Sequence, residues 1–195
     1  MYNEFFSNMH KLGKITDSEL ESYTKKDLNI IEQVSYKVDI PVFDTSQEIL
    51  HVQDEKSTGV HGGTFVAEGW RTRDLNTIKN NTITNASVNS NQVTLPPGIY
   101  WIEGSAPAHG VWNHQARLYD ITNSKVLLVG TSEFTSDWSF VTTSSTFYGK
   151  VVLEEETVIE LQHYSTVTTA NTGFGYGSSF DVPCVYSTLT IRRFS

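Results

Sequence analysis

A single cysteine, Cys184, in 195 residues excludes an intrachain disulfide, so the chain must be held by its core alone. No apolar run approaches the roughly 18 residues that a membrane-crossing helix requires. The opening MYNEFFSNMHKLGK has none of the apolar stretch of a secretory signal, which points to a soluble protein assembled inside a cell. Basic side chains are also scarce. There are 14 Lys and Arg against 22 Asp and Glu, giving a net charge of −8 and an isoelectric point near 5.2. Without a basic stripe to displace counterions from phosphates, general nucleic-acid binding is excluded. The acidity is uneven, with 6 basic and 11 acidic residues in 1–60 and 8 and 11 in 61–195. Heptads are missing too, which excludes a long coiled-coil shaft. No GxSxG elbow, phosphate-cradling glycine loop or HExxH pair occurs, and no cofactor is implied.

What the chain does contain is period-two alternation. After the turn Pro96-Pro97-Gly98, residues Ile99, Trp101, Glu103 and Ser105 point one way and Tyr100, Ile102, Gly104 and Ala106 the other. Ala116, Leu118 and Asp120 repeat the pattern, Asn123-Ser124-Lys125 breaks it, and Val126 to Thr131 completes a hairpin signal. Phe147, Gly149, Val151 and Leu153 alternate up to the acidic turn Glu154-Glu155-Glu156. Thr157 to Thr166 then returns, and Val185, Ser187, Leu189 and Ile191 close the series. Strands separated by turns every 8 to 12 residues or so predict an antiparallel double-sheet sandwich or jelly roll. The glycines of GFGYG, 173–177, read as a strand whose open positions admit packed aromatics or a neighbouring backbone.

The front is different. Phe5, Met9 and Leu12 lie on one helical face and Gly13 follows at a stop position. Thr16-Asp17-Ser18-Glu19 is a capping box, continued by Leu20 and Tyr23. Helices this short are marginal alone, so Phe5, Phe6, Met9, Leu12, Leu20 and Tyr23 are expected to pack on a partner. The expected division is a helical anchor over 1–36, an extended neck over 37–63 and a head domain over 64–195.

Several collinear blocks add a family resemblance: WRTRDLNTI (70–78), LPPGIYWIEGSAPAHG (95–110), HQARLYDITN (114–123), VLLVGTSEF (126–134), VIELQHY (158–164) and GFGYGSSFDVPCVYSTLTIRRF (173–194). Together they resemble the jelly-roll heads of tailed-bacteriophage fibres, which are similar in shape to the tumour-necrosis-factor and complement-type trimers. LGKITDSELESYTKKDLNIIEQ resembles, in addition, very short helical proteins encoded in prophage tail regions. The resemblance implies a mainly β, TNF-like jelly roll with a short N-terminal helical anchor. It also implies a virion structural protein, a short homotrimeric fibre or spike on head, collar or tail, assembled in the host cytoplasm and docked on another virion protein by its N-terminus. Such a head is not an enzyme, and a host cell-surface glycan is the partner it would meet. The alternatives are a capsule-degrading hydrolase, against which the absence of β-helix repeats counts, and a secreted lectin-like module.

Site candidates follow from chemistry. Trp112, Asn113, His114, Asp137 and Trp138 lie in loops where indole rings stack on sugars and polar groups orient hydroxyls. The competing role for the two tryptophans is to plug the sandwich ends or a subunit seam. Arg71, Arg73 and Asp74 are expected to be structural, with Arg73 pairing Asp74 or a carboxylate across an interface; an anionic sugar or phosphate is the other reading. His109 and His114, with Asp120 or His163, do not match a standard metal spacing. Glu103, Asp120, Glu133 and Glu160 leave a glycosidase-type pair open.

Overall fold

The computed structural model describes residues 2–14, 16–19, 21–22, 47–136 and 141–194. The chain divides into two compact units, Met1–Thr45 and Ser46–Ser195. In the first, helix α1 (Tyr2–Lys11) ends as the sequence predicts. Gly13 takes φ 68°, and the Gly13 and Lys14 amides donate to the His10 and Met9 carbonyls at 2.8 and 2.9 Å, a Schellman closure that a side chain at Gly13 would strain. The capping box is present as well. The Thr16 amide donates to Glu19 Oε2 at 2.8 Å and the Glu19 amide to Thr16 Oγ1 at 3.3 Å, which holds the Glu19 carboxyl below its ordinary pKa. Of the expected anchor residues, Phe5 and Phe6 fall in α1, Met9 is half-buried and Leu12 is exposed, while Leu20 and Tyr23 lie outside the described residues.

The second unit is an antiparallel two-sheet jelly roll of β1 (Ile49–Lys56), β2 (Arg71–Thr72), β3 (Thr77–Asn81), β4 (Ser87–Asn89), β5 (Gln92–Leu95), β6 (Gly98–His109), β7 (Trp112–Asp120), β8 (Lys125–Thr135), β9 (Thr142–Leu153), β10 (Thr157–Ser165) and β11 (Cys184–Phe194). One sheet runs β3-β1-β11-β6-β9 and the other β4-β5-β10-β7-β8, with β2 added to β10. The predicted alternation sets the layers. From the first sheet Leu50, Val52, Tyr100, Ile102, Phe147, Leu189 and Ile191 point inward, and from the second Val93, Leu95, Ala116, Leu118, Ile159 and Leu161 meet them. Burying each such aliphatic side chain stabilises the fold by about 1.5–3 kcal/mol. The buried Tyr100 hydroxyl donates to the Pro96 carbonyl at 2.7 Å, so the ring enters the core without an orphaned donor.

Two expectations need correction. The stretch 49–56, assigned from sequence to the neck, is β1, an inner strand lying between β3 and β11. Its polar second half concealed it. The register slips between Gln53 and Glu55, and the intervening Asp54 turns inward, where Lys56 Nζ and Asn76 Nδ2 satisfy it at 2.9 and 3.0 Å. GFGYG is loop rather than strand, but its glycines do admit close backbone: a Cβ at Gly173 would sit 2.6 Å from the Thr169 carbonyl oxygen. That loop closes one end of the sandwich, where Phe65, Ala108 and Val111 form a second small core with Phe174 against it.

Candidate functional site

Through this second core runs a buried polar relay. Arg73, one residue past β2, is 1% exposed. Its guanidinium donates to the Pro107 carbonyl at 2.7 Å, the Phe174 carbonyl at 3.0 Å and His163 Nδ1 at 3.1 Å, and it stacks on the Phe174 ring at 4.2 Å. It makes no ion pair with Asp74, the first of the two partners the sequence suggested, because Asp74 turns to Lys56 at 3.0 Å. Burial lowers the Arg73 pKa to about 10 against the opposing pull of Asp54 and Asp74. Arg71 is structural too, its Nε donating to the Val66 carbonyl at 3.1 Å.

Because a guanidinium only donates, His163 Nδ1 must accept, and His163 Nε2–H then donates to His114 Nδ1 at 2.9 Å. His114 Nε2–H in turn donates to Thr143 Oγ1 at 2.8 Å. Both imidazoles are therefore neutral with every ring nitrogen committed, and neither keeps a lone pair for base catalysis or a metal. Among the described residues no group of three or more His, Cys, Asp or Glu side chains is placed to hold a metal ion. Burial, opposed at His114 by the nearby Glu133 carboxylate and reinforced by Arg73, drives the pKa of His114 down to about 4 and that of His163 well below its ordinary value.

This has a consequence for stability. The unfolded chain takes up protons on both imidazoles below a pKa near 6.5 while the folded chain resists them. Stability is therefore complete above that pH and is lost as the pH falls from about 6.5 towards 4, by up to about 1.4 kcal/mol per pH unit for each histidine. We expect the melting temperature to fall steadily across that window. A flat profile in calorimetric melts between pH 7.5 and 4.5 would show that the histidines are not buried and neutral.

On the outward face of the second sheet, above the relay, lies an open groove of about 370 Å³ lined by Trp70, Asn113, His114, Gln115, Ser132, Glu133, Tyr164 and Thr166. Pairing of β2 with β10 lays Trp70 edge-on against Tyr164, with ring centroids 5.6 Å apart. Arg117, on the outward side of β7, clamps this wall: its Cζ sits 3.9 Å from the Trp70 centroid and 4.4 Å from that of Tyr119. Arg117 Nε donates to Gln162 Oε1 at 2.9 Å, in a chain that continues through Gln162 and Gln92 to Glu160, each at 2.8 Å.

Of the sequence-predicted contacts, Asn113 and His114 line the groove; His114 serves as its floor. Trp112, at positive φ and 46% exposed, starts β7 beside it. Asp137 and Trp138 lie outside the described residues. Trp70 and Tyr164, which build the aromatic wall, were not among the predicted contacts. The candidate carboxylates are dispersed. Glu103 is on the other sheet with Arg192 at 2.8 Å, Asp120 caps the Asn123 amide at 2.8 Å, and Glu160 is tied to Thr72 at 2.9 Å as well as to its two glutamines, leaving Glu133 alone in the groove.

No protein-family model matches the chain, and no curated protein sequence does. Solved structures do match. Murine APRIL, in a structure determined at pH 5.0, covers 76% of this chain and 99% of its own at 11% identity and a TM-score of 0.51. The globular domain of zebrafish complement 1qA covers 76% and 98% at 13% identity and a TM-score of 0.49. The fold is that of the C1q/TNF-like jelly rolls.

Proposed function

We propose that this chain is the head of a short homotrimeric fibre or spike of a tailed-phage virion, assembled in the host cytoplasm, docked through its N-terminal segment and meeting host-surface glycans. The observation that carries the self-association is the placement of exposed apolar side chains in two different patches. Ile99, Tyr148, Val152 and Phe194 project from the outward face of the first sheet, Tyr148 being 72% exposed. Beside Trp101 and Tyr148 that face hollows into a trough of about 450 Å³. Val126, Val129 and Phe134 project from β8, the end strand of the other sheet. Two unlike patches favour a head-to-tail contact over a two-fold one, and such a contact gives a closed trimer when its rotation is a third of a turn. Closure would also cover an edge strand that otherwise invites unwanted pairing. The phage assignment rests on the sequence blocks that resemble fibre heads. Committed histidines and dispersed carboxylates favour adhesion over hydrolysis.

Deleting residues 1–36 tests the docking. The head should still fold and assemble, and purified phage particles should lack it by quantitative mass spectrometry. Incorporation of the truncated chain at the normal copy number would overturn the anchor assignment.

A further inference from the structure

We infer that the groove between Trp70 and Glu133 is a binding site for one neutral pyranose unit of a glycan, an inference that rests on the reading of the head as a glycan-contacting one. Its volume, about 370 Å³, falls at the small end of ligand sites. The wall is aromatic and preorganised: Trp70, 37% exposed, is held by Arg117 on its face and by Tyr164 edge-on at 61°. Arg117 takes one face of the indole, so the apolar C–H face of a sugar ring would stack on the other, and little ordering entropy is lost because the indole is already clamped.

The opposite side is polar and uncommitted. The Asn113 amide, the Ser132 hydroxyl and the Glu133 carboxylate have no hydrogen-bond partner among the described residues. An amide and a carboxylate lining one groove supply donors and acceptors, the complement of sugar hydroxyls, each of which both donates and accepts. The Glu133 charge disfavours uronic or sialic acids. Arg117 is not among the residues that line the groove, and His114 there is neutral, so Glu133 is the one charged side chain of the lining. An uncharged sugar remains.

The test uses the full chain, titrated by saturation-transfer NMR with methyl glycosides of glucose, galactose, mannose and N-acetylglucosamine, alongside a host-cell adhesion assay. At least one glycoside should bind saturably in the millimolar range expected for so small a ligand, with transfer strongest to its C–H face. Trp70→Ala should weaken binding about tenfold or more, and Glu133→Gln, which keeps the shape, should weaken it several-fold at an unchanged melting temperature. Binding that survives both substitutions, or no binding by any of the four glycosides, would overturn the site. If cells still adhere when both variants are present, the groove is wrong and the adhesive head stands. If the sugars bind through Trp70 and Glu133 but cells do not adhere, the groove stands and the host-contact reading falls.

Discussion

A chain cut to begin at residue 62 will fail to fold into a jelly roll, whereas one beginning at residue 46 will fold. The first cut removes β1, which pairs with β11 on one side and β3 on the other. It uncovers the ladder groups of both neighbours in the middle of a sheet and empties the fully buried positions of Leu50 and Val52. Those two side chains alone contribute about 1.5–3 kcal/mol each, against a total stability of roughly 5–15 kcal/mol for a domain. The loss of Asp54 from the partnership with Lys56 and Asn76 adds to the damage. Circular dichroism and thermal melts of the two fragments check this; a cooperative melt of the 62–195 fragment near that of the full chain would mean that β1 is dispensable.

Arg73→Met is expected to lower stability by about 3–5 kcal/mol, or roughly 10 °C in melting temperature for a unit of this size. Methionine keeps the apolar stem against Phe174 but leaves the Pro107 and Phe174 carbonyls and His163 Nδ1 without their donor. Replacing a buried ion pair by apolar groups can be neutral; this case differs because the three acceptors stay behind. The same substitution removes the positive charge that helps keep His163 and His114 neutral, so the acid sensitivity between about pH 6.5 and 4 should shrink as the absolute stability drops. A melting temperature within about 2 °C of the unmodified protein, with the acid slope intact, would rule out the relay as a structural element.

The strands with clean alternation were legible in the sequence. β6, β7 and β9 bury the residues that period two assigns to the inside, and Gly13 and the Thr16–Glu19 box stand where local chemistry put them. β1 was not legible, because Gln53-Asp54-Glu55-Lys56 reads as an exposed link. Only the bulge and the distant Asn76 make a buried aspartate tolerable there. The Arg73 relay was hidden for a similar reason. Its acceptors are backbone carbonyls at Pro107 and Phe174, and a carbonyl has no residue-specific signature. Only Asn113 and His114, two of the eight groove residues, were visible as contacts. Trp70 and Tyr164 come from segments brought together only by the β2–β10 pairing. The available hint was the outward run Asn113, Gln115, Arg117, Tyr119 on β7, whose polar and aromatic content exceeds what a merely solvated sheet face requires.

If the jelly roll self-assembles by joining two unlike apolar patches, the native mass of the full chain in solution reveals it. Sedimentation equilibrium at micromolar concentration should give three times the 21.9 kDa of one chain, and Tyr148→Asp or Val129→Asp should reduce it to one. A monodisperse 21.9 kDa species for the unmodified protein would rule out that assembly.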